Sequence, residues 1–406
     1  MGFTTKAIHS RHAKADNFGA LRYPIYQNAA FEFESAEDLE AVFKGKKGGH
    51  TYTRASNPSV EELETKVREV SSSLGVVAVS SGMAAITNTL LALLKTGDNI
   101  VTTDRLFGHT LSLFQNTLED FGVSVRFVDI LDLQSVKNAV DEKTRILFVE
   151  TVSNPELVIP DFEELSKIAK QNNTVFIADT TMTPFYLFDS KKHGVDIEVL
   201  SATKYISGGG TTVGGLIIDN GIFDWSKFEN LKKFYNSFGP NAFLAKLRKQ
   251  SFRNTGACLA PLNAYMLSLG LETLALRADR SFENTLKLAE FLSTNPKVKS
   301  VNYPHLKGNK YYDNSKKYFL FPGSVFTFDV ADKQTAYELM NKLKLARRST
   351  NIQDNKTLAI APYHTIYAEY TDEQKASFGL REGTLRISVG IEDTDDLIED
   401  FKQALA

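Results

Sequence analysis

The chain has 406 residues and a formal net charge of −2; 42% of the residues are apolar and 24% are charged. This length predicts two domains, or one large domain with a smaller one attached. The nearly balanced charge argues against nucleic acid or a membrane surface as partner, so small-molecule substrates and copies of the same chain are expected. With one cysteine, Cys258, the chain can form neither an internal disulfide nor a multi-thiolate metal site.

Residues 1–58 show little regular periodicity and are predicted to form an arm that packs on another part of the protein. The exception is a serine-capped helix in SAEDLEAVF. No two histidines have the four-residue spacing of helical metal ligands, and His9 and His12 lie in the arm, which we expect to be unstructured. We therefore predict no metal site. The absence of an apolar signal core, and of any apolar run near about eighteen residues, predicts a cytoplasmic protein.

Residues 59–250 alternate between helical patterns and short apolar runs, which predicts a large α/β domain with a mainly parallel central sheet flanked by helices. The first helix is expected from Asn57, with Pro58 in its first turn. Strands are expected at residues 76–80, 99–103, 125–130, 145–151, 175–179 and 197–203.

Residues 251–406 have a different pattern, in which long helices come first and separate strands follow. The strands are expected in VKSVNY, SVFTFDV and TLRISVG, and a helix in DTDDLIEDFKQAL closes the chain. This region is predicted to be a connecting helix and a smaller carboxy-terminal α/β domain.

Polar residues follow the predicted strands, and ligands of parallel sheets bind at the carboxyl ends of strands. Asp179 and Lys204 end two adjacent predicted strands that one short crossover would connect. A lysine amine can form a Schiff base with the aldehyde of pyridoxal phosphate, and a buried carboxylate can keep the pyridine nitrogen of that cofactor protonated. The pair therefore predicts a pyridoxal phosphate site.

A phosphate group needs hydrogen-bond donors and positive charge. The backbone amides of Gly82 and Met83 come between a predicted strand and a helix expected to begin at Met83, where they could bind an anion. Ser201 and Thr203, which flank the lysine, add hydroxyl groups, and Gly208 to Gly210 are expected to give backbone room beside the cofactor pocket. Each feature alone is an ordinary turn, cap or surface residue more often than a ligand, and only their joint order on consecutive strand ends favours a site.

Six motifs together resemble the Cys/Met-metabolism family of pyridoxal-phosphate enzymes, fold type I: GHTYTRASNPSVEELE, SSGMAAI, ETVSNP, ADTTMTP, SATKYISGG and GTLRISVGIED. The resemblance extends from about residue 24 to the final helix. It implies the fold of PLP-dependent transferases. It also implies that Lys204 bonds to the cofactor, that Asp179 contacts the pyridine nitrogen, and that the phosphate ligands are Gly82, Met83, Ser201 and Thr203.

The resemblance also implies a site shared between subunits. Tyr52 and Arg54 match the pair that reaches the phosphate of a neighbouring subunit, with Tyr52 among the catalytic residues. This would place the arm on a neighbour and give a homotetramer made of two active-site-sharing dimers. Asn154 matches the residue beside the cofactor ring oxygen and the substrate, and Arg386 the residue that binds the substrate carboxylate through its planar guanidinium.

Several positions depart from the family pattern. Phe107, a cofactor-binding and catalytic position, stands where many members have a tyrosine on the cofactor ring; phenylalanine can stack there but cannot transfer a proton. Thr357 stands where a serine often helps to hold the substrate, Thr180 where asparagine is frequent, and Leu200 where histidine is frequent. Together with the unusual loop APYHTIY at 361–367, these departures affect the expected substrate side more than the cofactor side.

The stretch at 238–277 is most similar to the sulfhydrylase branch of the family. It implies γ-replacement on O-acetyl-L-homoserine, in which sulfide or a small thiol displaces acetate and gives homocysteine or methionine. Three alternatives stay open: γ-elimination from methionine or homocysteine, cystathionine synthase or lyase chemistry, and a regulator that binds pyridoxal phosphate without turnover.

Overall fold

The computed structural model describes residues 1–10, 16 and 18–406, and within them two β-sheets form. The first sheet has seven strands: β1 (Gly75–Val79), β2 (Asn99–Thr102), β3 (Ser124–Phe127), β4 (Thr144–Glu150), β5 (Val175–Asp179), β6 (Ile197–Ser201) and β7 (Gly215–Asp219). The second has five: β8 (Ser300–Asn302), β9 (Val325–Asp329), β10 (Arg347–Arg348), β11 (Leu358–Ile360) and β12 (Thr384–Ser388).

The strand order of the large sheet is β1-β7-β6-β5-β4-β2-β3, and only β7 runs antiparallel to its neighbours. The predicted mainly parallel sheet is confirmed, and all six predicted apolar runs contain strands. Strand β7 was not predicted. Its short apolar segment follows a glycine-rich turn, and it pairs antiparallel with the preceding strand β6 and with β1, which is distant in sequence.

The helices are α1 (Phe3–His9), α2 (Ala36–Phe43), α3 (Pro58–Ser71), α4 (Gly82–Leu93), α5 (Gly108–Ser112), α6 (Leu118–Asp120), α7 (Leu133–Ala139), α8 (Phe162–Gln171), α9 (Lys232–Phe238), α10 (Ala242–Lys246), α11 (Arg253–Thr255), α12 (Pro261–Glu272), α13 (Leu274–Ser293), α14 (Tyr312–Tyr318), α15 (Lys333–Lys342), α16 (Asp372–Ser377) and α17 (Thr394–Leu405). As predicted, Ser35 caps α2 by accepting a hydrogen bond from the Asp38 amide, and Pro58 is in the first turn of α3.

Helices cover both faces of the large sheet, and the alternation of side chains along each strand explains the continuous apolar runs. On β5, Val175 and Ile177 pack in the cluster that includes α4, while Phe176 and Ala178 pack in the cluster that includes α8. The sheet is therefore buried on both faces, and the edge formed by the strand ends is the place left for polar chemistry.

The 20-residue helix α13 precedes the second sheet, whose order is β10-β11-β12-β9-β8. Helix α17 contacts both α13 and α15 beside that sheet. These elements match the expected connecting helix and smaller α/β unit, while the boundaries at 58 and 250 stay predictions.

The arm contains structure that the sequence did not indicate. Helix α1 buries Ala7 completely, and its Phe3 ring lies 4.8 Å from the ring of Tyr186. The expectation that His9 is unstructured was wrong, because His9 is the last residue of α1; His12 lies outside the described residues. No helix in the described part of the chain is long and apolar enough to cross a membrane. Residues 1–10, 16 and 18–406 contain no cluster of three potential metal ligands.

Candidate active site

A cavity of about 650 Å³ lies at the carboxyl ends of β4, β5 and β6, where Glu150, Asp179 and Ser201 are the last strand residues. The structure brings nine of the twelve predicted site residues to its wall: Gly82, Met83, Phe107, Asn154, Asp179, Ser201, Thr203, Lys204 and Arg386. Tyr52, Arg54 and Thr357 do not line it. The cavity therefore lies at the strand ends where the sequence predicted a site. Arg386, on β12 of the small sheet, lies on its second wall.

Asp179 is the carboxylate at the centre of this edge. Its Oδ1 atom accepts a hydrogen bond of 2.9 Å from the Thr181 amide. In the β4–β5 ladder, the residue in register with Asp179 is Glu150; Glu150 is buried, and Asp179 is only partly exposed at the cavity. Two carboxyl groups held side by side away from water cannot both ionise without a large cost, so one of them keeps its proton.

Glu150 is the carboxyl that keeps the proton. Burial raises its pKa well above the ordinary glutamate value, and the neighbouring Asp179 raises it further. Burial also raises the pKa of Asp179, but the Thr181 hydrogen bonds oppose that change. The Oε1 atom of Glu150 accepts a 2.5 Å hydrogen bond from the Phe107 amide, which fixes the start of α5 at the cavity mouth. The pair therefore presents one negative charge, on Asp179.

Lys204 follows β6 and is only partly accessible. Burial lowers the pKa of its ammonium group, the charge of Arg386 lowers it further, and Asp354 acts in the opposite direction. Its Nζ atom donates a 2.6 Å hydrogen bond to Oδ1 of Asn351. A lysine with a lowered pKa supplies more neutral amine, which is the form needed for Schiff-base and proton-transfer chemistry.

The amino terminus of α4 forms the anion-binding side of the cavity. Helix α4 begins at Gly82, one residue earlier than the sequence pattern suggested, and Ser81 caps it by accepting a hydrogen bond from the Ala84 amide. The Gly82 and Met83 amides are among those without an acceptor inside the helix. A side chain at Gly82 would place its Cβ 2.8 Å from that of Ser201, so only glycine lets the helix start approach the strand end this closely.

Arg386 lies in the middle of β12 and is buried, with 2% of its surface exposed. Its Nη1 atom donates to Oδ1 of Asn154 at 3.3 Å, and Nη2 donates to the carbonyl oxygens of Thr350 and Asn351. Its Nε atom has no acceptor, and none of the described carboxylates forms an ion pair with it. Burial lowers the pKa of Arg386 to about 10. An unpaired, buried guanidinium on a cavity wall is a site for a carboxylate ligand.

Tyr52 and Arg54 lie away from the cavity within one chain. Nη1 of Arg54 donates to the carbonyl oxygen of Arg253, and the guanidinium lies 5.6 Å from the centroid of the Tyr52 ring. Nearly half of the Tyr52 surface is exposed. One chain alone therefore does not bring these two residues to the cavity.

Thr357 requires a correction, because the structure places it inside the small domain. It is fully buried; its hydroxyl donates to Oε2 of Glu392 and accepts from the Gly390 amide. Thr357 precedes β11, whereas residues 349–352 follow β10, and these strands are parallel neighbours. The two segments therefore lie at opposite ends of the pair, and only 349–352 reaches the cavity.

Two other departures also lie away from the substrate. The Thr180 hydroxyl is buried and donates to Oε2 of Glu198, and Leu200 packs in an apolar cluster. Neither lines the cavity. They were expected to affect the substrate side, and the structure instead gives them packing roles.

Several polar cavity residues were not singled out in the sequence, among them Glu150, His109, Ser349, Asn351 and Tyr367. Glu150 could have been found, because it ends a predicted strand beside that of Asp179. Tyr367 belongs to the loop that looked unusual; its hydroxyl donates to the Asn154 carbonyl oxygen, and burial raises its pKa. Ile366 of that loop also lines the cavity, whereas Tyr363 does not, and its hydroxyl donates to Asp372.

The described geometry agrees with what similarity to known proteins indicates. Residues 4–406 match the family of Cys/Met metabolism PLP-dependent enzymes. The chain belongs to this family. It is 37% identical to an L-methionine gamma-lyase of Fusobacterium nucleatum over 100% of this chain and 98% of that one.

Two solved structures are similar as well. One is an O-acetylhomoserine sulfhydrylase in the methionine biosynthetic pathway of Wolinella succinogenes, with 50% identity, a TM-score of 0.81, and coverage of 87% of this chain and 99% of that one. The other is a Campylobacter jejuni protein assigned as an O-acetylhomoserine (thiol)-lyase, with 35% identity, a TM-score of 0.96 and complete coverage of both chains. That structure contains N'-pyridoxyl-lysine-5'-monophosphate. These matches establish the fold of the type I PLP enzymes for this chain.

Pyridoxal phosphate is the cofactor of this enzyme, and the residues present fit it. The α4 amino terminus with the hydroxyls of Ser201 and Thr203 suits a phosphate, and the carboxylate of Asp179 suits a protonated pyridine nitrogen. The bound cofactor supplies an electron sink for the carbanion chemistry of amino acids. The amine of Lys204, on the same cavity wall, suits covalent attachment of the cofactor aldehyde.

Proposed function

We propose that the protein catalyses γ-replacement on O-acetyl-L-homoserine: sulfide or a small thiol adds at Cγ, acetate leaves, and homocysteine or methionine is the product. The observation that supports this best is the buried, unpaired guanidinium of Arg386 on the same cavity wall as the Lys204 amine. This guanidinium would bind the α-carboxylate of an amino acid and so place Cα, Cβ and Cγ of the substrate within reach of the Lys204 amine.

The residues divide the work as follows. Lys204 removes the Cα proton and moves protons between carbon atoms, because burial lowers its pKa and so favours the neutral amine that can accept a proton. Arg386 and Asn154 orient the substrate carboxylate. Asp179 would hold a protonated pyridine nitrogen, and Phe107 would offer the cofactor an aromatic surface without a proton to give.

The second candidate is γ-elimination, in which the same proton transfers occur but no nucleophile adds at Cγ. Similarity to an L-methionine gamma-lyase favours it as an alternative. Cystathionine synthase or lyase chemistry ranks below γ-elimination. Cystathionine is a larger molecule with a second carboxylate, and the cavity wall contains no arginine besides Arg386 to bind it. A non-catalytic regulator is disfavoured by the presence of Lys204, Asp179 and Arg386 in one cavity.

We also propose that the enzyme is a cytoplasmic homotetramer of two dimers that share active sites. The position of Tyr52 and Arg54 supports this, because they lie outside the cavity of their own chain and are accessible to a second one. In such a dimer, Tyr52 and Arg54 would contribute a phenol and a guanidinium to the neighbour's phosphate site.

Phe107 is expected to control the balance between replacement and elimination. Phe107→Tyr should raise elimination relative to replacement by about threefold or more, because a phenol adds a proton-transfer group at the cavity mouth. The measurement is the ratio of 2-oxobutyrate to homocysteine formed from O-acetylhomoserine and sulfide. His109→Gln is the control, since that imidazole lies 5.2 Å from the Phe107 ring and is the other proton-transfer group there. An unchanged ratio in Phe107→Tyr would show that this ring does not control partitioning.

The test of the proposed activity uses two separate incubations of the purified protein. O-acetylhomoserine with sulfide should give homocysteine and acetate, and methionine alone should give no methanethiol. Methanethiol without homocysteine would establish the alternative. Lys204→Ala serves as the blank in both incubations.

A further inference from the structure

The segment formed by residues 350–355 follows β10 and connects the substrate side of the cavity to Lys204. The backbone carbonyl oxygens of Thr350 and Asn351 accept from Nη2 of Arg386. The Asn351 side chain turns the other way and accepts from Nζ of Lys204 at 2.6 Å. One residue thus contacts the guanidinium through its backbone and the amine through its side chain.

The orientation of the Asn351 carboxamide is fixed by a second contact. Its Nδ2 atom donates to Oδ2 of Asp354 at 3.2 Å. Because the amide nitrogen points to a carboxylate that can only accept, the amide oxygen must face Lys204. A flipped amide would bring an NH₂ group against the lysine amine and an oxygen against Asp354, which loses both hydrogen bonds.

The glycine run after Lys204 makes room for this arrangement. A Cβ atom at Gly210 would lie 2.8 Å from Nδ2 of Asn351 and 2.9 Å from Oδ2 of Asp354. A Cβ at Gly209 would lie 2.9 Å from Nδ2 of Asn355, which itself donates to the Gly208 carbonyl oxygen. All three glycines have positive φ, so a side chain there would also strain the backbone. The loop of Lys204 and the 350–355 segment therefore fit together closely.

We propose that Asn351 is a positioning residue that holds the Lys204 amine, whenever this amine is not bonded to the cofactor, beside the guanidinium of Arg386, and that Asp354 keeps Asn351 in the required orientation. This rests on the proposed role of Lys204 as the proton-transferring base. The neutral carbonyl acceptor binds one N–H of the amine and leaves its lone pair free to accept a proton. An acidic residue in the same place would instead hold the amine as ammonium.

The first test measures how fast the free amine reacts. The full-length protein is freed of cofactor with hydroxylamine and labelled with trace acetic anhydride, and acetylation at Lys204 is compared with that at the exposed Lys137 by peptide mass spectrometry. Asn351→Ala should increase labelling of Lys204 about two- to tenfold, the range that corresponds to one hydrogen bond. Asn351→Asp should decrease it at least about tenfold.

Asn355→Ala is the matched control, because Asn355 lies in the same segment but bonds to Gly208 and not to Lys204. Acetylation of Lys204 in Asn355→Ala should equal that in the unaltered protein. The proposal is overturned if Asn351→Ala labels like the unaltered protein, or if Asn355→Ala increases labelling as much, since loop disorder would then explain the effect.

The second test uses the holoenzyme. Asn351→Ala removes the side chain but keeps the backbone oxygen that Arg386 contacts, so kcat should fall at least about threefold while KM changes less than about twofold. A rise in KM with unchanged kcat would assign Asn351 to substrate binding and contradict the proposal. The labelling result does not depend on which substrate the enzyme uses, so it stands or fails separately from the proposed reaction.

Discussion

Lys204→Ala should lower turnover of O-acetylhomoserine by at least about 10³-fold, because it removes both the covalent attachment of the cofactor and the base that moves the substrate protons. The absorption band of lysine-bound pyridoxal phosphate should disappear as well. The fold should survive, since the only side-chain hydrogen bond of Lys204 within the described residues is to Asn351. The measurements are the steady-state rate, the absorption spectrum and the thermal unfolding midpoint.

Lys246→Ala is the matched control for that variant. Burial lowers the pKa of Lys246 as it does that of Lys204, but Lys246 lies outside the cavity. The control should keep its spectrum and its activity within about twofold. If Lys204→Ala retained the absorption band, the attachment site would be another lysine, and the assignment of the cavity would be wrong.

Asp179→Asn should have the second largest effect, a fall in kcat/KM of about 10²- to 10³-fold, because a neutral amide no longer stabilises a protonated pyridine nitrogen. The cofactor should still bind, since the phosphate and lysine contacts are intact. The measurement is kcat/KM with the cofactor content of each preparation determined by absorbance.

Glu150→Gln tests whether activity depends on the charge of Asp179 or is lost on any change in the carboxyl pair. Burial and the neighbouring Asp179 raise the pKa of Glu150 well above its ordinary value, which favours its neutral form, and glutamine has nearly the same shape as that form. Activity should therefore stay within about tenfold of the unaltered enzyme. A loss as large as that of Asp179→Asn would place the negative charge on Glu150 and contradict the charge assignment.

The cofactor side of the site could be predicted from the sequence because it depends on local order. Asp179 and Lys204 follow consecutive parallel strands, and parallel neighbours place their carboxyl ends at one edge. Gly82 follows another strand and starts a helix, so its position also follows from chain order. Short-range patterns were sufficient for these residues.

The substrate side could not be predicted in the same way, because it depends on contacts between distant segments. Asn351 meets Lys204 across 147 residues, and Arg386 meets Asn154 across 232. Thr357 was chosen by its place in the family pattern, yet the β10–β11 pairing puts it at the far end of the small sheet. Strand β7 was not predicted for a related reason. It lies between β6 and β1 in the sheet, and β1 is distant from it in the sequence.

The structure gives the glycine run after Lys204 a role that differs from the one expected from the sequence. From the sequence, Gly208 to Gly210 provide space beside a cofactor. In the fold, the missing side chains at Gly209 and Gly210 leave room for Asn355, Asn351 and Asp354 of the 350–355 segment. The run therefore links the cofactor lysine to the segment that contacts Arg386.

The measurement that tests the central claim most directly is product analysis with O-acetylhomoserine and sulfide, beside methionine alone. The account predicts homocysteine and acetate in equal amounts from the first mixture, no methanethiol from the second, and neither product with Lys204→Ala. Methanethiol and 2-oxobutyrate from methionine, with no homocysteine from the first mixture, would contradict it.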